Sequence, residues 1–135
     1  MSYWLMKSEP DVYPWERLVK EKHGSWDGVR SYQAANNLRA MQVGDEALFY
    51  HSNIGLAVVG IMKIVKAAYP DPTDPTGKFV MVDVAPVKAL LQPLPLKQMK
   101  ADKILSGMAM VKQSRLSVSP VTPREWQRVL ELSGL

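Results

Sequence analysis

Two β-rich runs on either side of a short polar loop constrain this chain more than any other feature. Glu46-Ala47-Leu48-Phe49-Tyr50-His51 and the run from Ala57 to Ala67 flank Ser52-Asn53-Ile54-Gly55. Branched and aromatic side chains at this density suit a pleated, buried surface, and the short loop favours pairing of the two runs as a hairpin. The second run carries Val58, Val59, Ile61, Ile64 and Val65 but is interrupted by Gly60, which predicts a bend or bulge there. A further strand is expected from Phe79 to Val87, where Pro86 marks an end, a bulge or an edge. Tyr69 to Gly77, with three prolines and two aspartates, reads as a surface loop without regular structure.

Around this nucleus, Tyr3 to Lys7 reads as a short buried strand closed by Ser8-Glu9-Pro10. Pro14 opens a helix through about Glu21, with Trp15, Leu18 and Val19 at helical spacing. Gly28 allows a sharp turn after Trp26-Asp27, and Ser31 caps a helix from Tyr32 to Met41. Ala34, Leu38 and Met41 share one face of it, with Ala35 at the margin; Tyr32, Asn36 and Arg39 share the opposite face, with Gln33 further round. Leu91 to Leu96 is broken by prolines, short helices are expected near residues 97–100 and 102–105, and residues 115–121 alternate as a closing strand. Thr122-Pro123-Arg124-Glu125 has the composition of a capping box and starts a terminal helix ending at Gly134. These elements predict one α+β domain over residues 1–135, with strands that curl into a small barrel flanked by helices.

Composition narrows the function. There is no cysteine, and His23 and His51 are the only histidines, so neither a disulfide framework nor a structural metal is expected. No apolar run has the length of a membrane span, and no basic-then-apolar signal pattern opens the chain. The net charge of +4 arises entirely beyond Leu96, because residues 1–96 hold ten Lys and Arg against ten Asp and Glu. A basic C-terminal third favours a polyanionic partner.

Ser8, Ser52, His51, Asp45 and Asp83 supply the residue types of a hydrolytic triad, but no nucleophile elbow surrounds either serine. Lys7 and Glu9 at a strand end are a candidate acid–base pair, for which an exposed ion pair is the plainer reading. Glycine-rich phosphate motifs and zinc-finger spacings are absent. Recognition by stacking is left. Trp4, Trp15 and Trp126 sit in strand or helix-face contexts and read as core, whereas Trp26 lies among Ser25, Asp27 and Gly28 and reads as a wall for a planar ligand. Amide side chains can read a base edge, and Arg30, Arg39, Lys112 and Arg115 could hold flanking phosphates.

Several segments, taken in order, resemble the EVE-domain family: Tyr3 to Pro10, Trp26-Asp27-Gly28-Val29-Arg30, Tyr32-Gln33-Ala34, Asn36 to Met41, Phe49 to Asn53, Lys63-Ile64-Val65, Ala68 to Asp71, Val82-Asp83-Val84 and Arg115 to Val118. The sequence departs from the usual pattern at Ser31, where asparagine is common, and at Ala35, where arginine is common. The resemblance implies a PUA-like fold related to YTH readers of methylated adenine in RNA. It also implies a non-enzymatic reader of a modified base, above all modified cytosine in DNA, and we expect that base to be held flipped in a pocket walled by Trp26. Carried onto this sequence, the expected base pocket comprises Lys7, Ser8, Trp26, Tyr32, Gln33, Asn36, His51, Ser52 and Asn53, with Arg30, Arg39, Lys112 and Arg115 as its phosphate rim. The expected partner is nucleic acid with a modified base. Neither cofactor nor metal is expected, and the chain is expected to be a monomer in a bacterial cytoplasm or a eukaryotic nucleus. The alternatives are an RNA reader, an enzyme acting on a small nucleoside-like substrate, and a protein-interaction module.

Overall fold

A computed structural model describes all residues, 1–135. Six strands, β1 (Tyr3–Ser8), β2 (Gly24–Trp26), β3 (Glu46–His51), β4 (Ala57–Pro70), β5 (Val80–Pro95) and β6 (Val118–Val121), form one sheet in the order β2-β5-β4-β3-β1-β6. The helices are α1 (Trp15–Glu21), α2 (Tyr32–Ala40), α3 (Leu96–Ala101), α4 (Ala109–Lys112) and α5 (Pro123–Leu132), with a 3₁₀ turn at Leu105–Gly107. β1 and β3 run parallel, so the segment carrying α1, β2 and α2 is their crossover; the other pairs are antiparallel. None of the helices is long and apolar enough to cross a membrane.

Alternation along the strands fills two cores. Trp4, Met6, Phe49, Met62, Ile64, Val82 and Val84 point to one side, against Trp15 and Leu18 of α1 and Ala34, Ala35 and Leu38 of α2. Leu5, Leu48, Tyr50, Val58, Ile61 and Leu94 point to the other, against Met99, Met108, Trp126 and Val129 from the C-terminal helices. The sheet is open: β2 and β6 are its edges and no ladder joins them. α2 touches β6, β5 and β4. A nine-residue helix is only about 13 Å long, and β6 and β5 in a flat sheet would lie roughly 19 Å apart, so the sheet curls around α2 without closing on itself.

The hairpin of β3 and β4 forms as the sequence predicts, and so does the bulge. Phe49 faces Gly60 while Tyr50 faces Val58, which leaves Val59 as the extra residue. Gly60 is a packing requirement, because a Cβ there would lie 2.5–2.6 Å from the indole of Trp15. Trp15 is itself buried and held edge-on to Phe49 at 5.4 Å. Gly60→Ala is therefore expected to lower unfolding free energy by about 1–3 kcal/mol, readable by urea denaturation.

The capping box of α5 is present, with the Thr122 hydroxyl accepting from the Glu125 N–H and the Glu125 carboxylate from the Thr122 N–H. Elsewhere the structure revises the reading. β5 continues to Pro95 where a broken segment was expected. Beyond Val84 it has β4 on one side and no strand on the other, and prolines are tolerated on such an edge strand. The closing strand begins only at Val118, because Leu116 N–H bonds back to the Gln113 carbonyl in a turn. Tyr69 and Pro70 belong to β4, and the loop after them is built on a tandem Asp-Pro-Thr repeat. Asp71 accepts from the N–H and hydroxyl of Thr73, and Asp74 from those of Thr76. Both aspartates are buried.

Candidate functional site

A cleft of about 480 Å³ opens where β1 ends. Its walls are Lys7, Ser8 and Glu9 from β1 and the turn after it, Val12 and Tyr13 before α1, Arg17 and Glu21 on α1, and Gly24, Ser25, Trp26 and Asp27 along β2. The Glu9 carbonyl accepts from the N–H groups of Val12 and Tyr13, a tight turn that swings the tyrosine back over the cleft. Ser8 Oγ fixes it by donating to the Tyr13 carbonyl at 2.7 Å. The Tyr13 ring meets Trp26 edge-on at 6.4 Å, and Trp26 in turn meets Phe49 at 5.3 Å. The result is a rigid aromatic floor resting on the first core.

The polar groups around that floor are mostly committed. Tyr13 OH donates to Glu21, Arg17 pairs with Glu21 at 3.3 Å, and Ser25 Oγ donates to Asp83. Lys7 Nζ donates to the Ser114 carbonyl at 2.8 Å, and burial lowers its pKa. The lining carries Lys7 and Arg17 against Glu9, Glu21 and Asp27. A phosphate would meet net negative charge there; a neutral planar ring with donors on its edge suits it better.

Two smaller depressions lie beside it. The second, about 390 Å³, shares Lys7 with the first and adds Tyr50, Ser52, Asn53, Lys100 and an apolar floor. The third, about 370 Å³, shares Ser114 with the second and is lined by Ser31, Gln33, Lys112 and Arg115 with no carboxylate. The basic C-terminal third thus supplies cations beside the cleft.

The pocket expected from sequence is therefore divided. Lys7, Ser8 and Trp26 meet in the first cleft, Ser52 and Asn53 lie in the second, and Gln33 lies in the third with Lys112 and Arg115. Three residues of the α2 front turn elsewhere. Tyr32 packs on Phe79 at 5.2 Å, Asn36 accepts from Arg39, and Arg39 also donates to the Lys78 carbonyl. Arg30 is tied to Asp71 at 3.1 Å and to Thr73. His51 caps α1: its Nε2 accepts the Trp15 N–H at 3.1 Å, one of the donors that a helix start leaves unpaired. Burial holds the His51 pKa below its ordinary value, partly offset by Glu16, so it stays the neutral acceptor this bond requires.

Trp26 is also not where sequence placed it. It lies in β2, antiparallel to β5, and is 7% exposed, as Trp4 and Trp15 are, with Trp126 at 6%. Isolation from the core does not single it out; its position as the floor of the cleft does. Tyr13, Ser25, Asp27, Tyr50 and Lys100 were missed. Tyr13 carried a signal, since Pro10 and Pro14 bracket it and force a turn before the helix.

Comparison with known proteins agrees with the segments quoted above. The family model of the EVE domain matches residues 2–132. Human thymocyte nuclear protein 1 is 40% identical over an alignment covering 97% of this chain and 73% of that protein. Among solved structures, a protein of Rhodopseudomonas palustris is 47% identical with a TM-score of 0.94, covering 99% of this chain and 94% of its own. Human THYN1 protein, solved in complex with DNA containing 5-methylcytosine, is 39% identical with a TM-score of 0.90, covering 100% and 99%. A YTH domain from Zygosaccharomyces rouxii shares the fold at a TM-score of 0.62 and 13% identity, over 98% of this chain and 86% of its own. With a family match that leaves out only Met1 and the last three residues, and relatives aligned over 97% or more of this chain, the chain belongs to the EVE domain family.

Proposed function

We propose that this protein is a non-catalytic reader of a modified base, with 5-methylcytosine in DNA as its ligand. The observation that carries the reading is the likeness, over 100% of this chain and 99% of the solved one, to the human protein solved with DNA containing that base. The cleft geometry supports it. A flipped base costs a few kcal/mol in lost stacking and pairing, and aromatic contact returns about 1–3 kcal/mol. The flanking backbone must supply the remainder, and Lys100, Lys112 and Arg115 in the adjoining depressions are placed for that. In this reading the finer fold description is PUA-like, a barrel-derived sheet left open between β2 and β6. Against the acid–base alternative, Lys7 Nζ donates to the Ser114 carbonyl and forms no ion pair with Glu9.

The test is fluorescence anisotropy with DNA and RNA oligonucleotides differing at one base, each at two salt concentrations. A methyl group in a fitted pocket is worth about 10- to 200-fold, so DNA with 5-methylcytosine is expected to bind at least tenfold tighter than its unmodified counterpart. Affinity is expected to fall as salt rises. Equal affinity for the two oligonucleotides overturns the reading.

A further inference from the structure

The second depression holds an unused polar group. Tyr50 is 2% exposed, yet its hydroxyl lines this depression and makes no hydrogen bond within the protein. That oxygen is open to the depression, since Ser119 Oγ is the buried side-chain atom left without a partner; burial of the ring raises the Tyr50 pKa, so the hydroxyl stays protonated with a hydrogen to donate. Leu56, Leu96 and Met110 give the depression an apolar floor, while Lys7 and Lys100 stand at its sides. Apolar surface, one convergent donor and two cations describe a site for a planar ring carrying a phosphate. Lys7 is the wall it shares with the first cleft.

We infer that the second depression is a subsite for the nucleotide next to the read base: its ring lies on the Leu56 and Met110 floor, its edge accepts the Tyr50 hydrogen, and its phosphate lies beside Lys100. The inference rests on the proposed reading, since the first cleft must hold the modified base for a neighbour to reach the second. Its length dependence follows. A 5-methylcytosine mononucleotide occupies the first cleft alone, and a trinucleotide fills both. Lys100 contributes through the phosphate and Tyr50 through the ring, so the two are separable.

The experiment is calorimetric titration of the intact chain with 5-methyl-dCMP, with dCMP, with a trinucleotide carrying 5-methylcytosine at its centre, and with two versions of that trinucleotide abasic on one side or the other. Tyr50→Phe keeps the ring and its packing and removes only the hydroxyl. It is expected to weaken the trinucleotide about five- to tenfold while leaving the mononucleotide and one abasic trinucleotide unchanged. Lys100→Ala is expected to make the salt dependence of trinucleotide binding shallower, by about 0.7 in the slope of log K against log salt. Tyr50→Phe binding every ligand like the parent, or weakening mononucleotide and trinucleotide equally, overturns the subsite. Failure of the parent protein to prefer 5-methylcytosine over cytosine in the mononucleotide overturns the underlying reading instead, a result independent of Tyr50.

Discussion

Trp26→Ala is expected to lose base binding and, with it, about 3–5 kcal/mol of stability. Both effects follow from one placement. The indole is 7% exposed, packed edge-on between Phe49 and Tyr13, and its remaining surface is the floor of the cleft. Deleting it opens a cavity under the sheet and removes the surface a ligand would contact. Trp26→Phe separates the two, because it retains an aromatic face and most of the volume. We expect the phenylalanine variant to remain within about 2 kcal/mol of the parent and to keep measurable binding of 5-methylcytosine DNA. Urea denaturation and anisotropy on the same preparations check this. An alanine variant that stays folded by near-ultraviolet circular dichroism and still binds like the parent would sink the assignment of Trp26.

Asp71→Ala is the second large effect, expected at about 3 kcal/mol, because several donors lose a shared buried acceptor. The carboxylate receives the Gly28 N–H at 2.9 Å, Arg30 at 3.1 Å, and the N–H and hydroxyl of Thr73 at 2.8 and 2.7 Å. Through Gly28 it pins the turn that follows Trp26, so the cleft wall depends on a loop far away in sequence. Desolvation by itself would raise the Asp71 pKa, but these hydrogen bonds outweigh it and hold it at about 2, below the ordinary 3.8. A depressed carboxylate pKa stabilises the fold above the unfolded value, so this contribution is complete above about pH 4 and is lost as pH falls through 2. Asp74 is held at about 2 by its own loop bonds and loses its contribution over the same range. The comparison that isolates Asp71 is therefore acid denaturation of the parent against Asp71→Asn. We expect a shallower acid dependence in the asparagine variant between pH 4 and 2, and identical slopes would contradict the assignment.

What could be read from the sequence was whatever short-range chemistry dictates. Thr122-Pro123-Arg124-Glu125 is a capping box because its bonds span three residues, and Ser31 caps α2 for the same reason. Two β-rich runs around a short polar loop predicted the β3–β4 hairpin, and a glycine inside a branched run predicted its bulge. The EVE resemblance brought Lys7, Ser8 and Trp26 to one place, and the structure puts all three in one cleft. The α2 front misled because helical periodicity gives a face but not its neighbour. Tyr32 and Arg39 meet the Lys78-Phe79 segment, which no local pattern could reveal.

By itself, then, the sequence determined an α+β architecture, its strand and helix periods, its caps and a basic C-terminal third. Only the tertiary structure decided that Trp26 belongs to an edge strand, that Tyr13 closes over it, that His51 caps a helix and that Tyr50 keeps a hydroxyl without a partner. These facts depend on contacts between residues 13 to 60 positions apart, such as the edge-on Tyr13–Trp26 contact and the Gly24–Val84 pairing of β2 with β5, and on which groups the packing leaves open. Periodicity and local bonding act over a few residues; the pairing of distant segments is settled by packing two cores on one curled sheet.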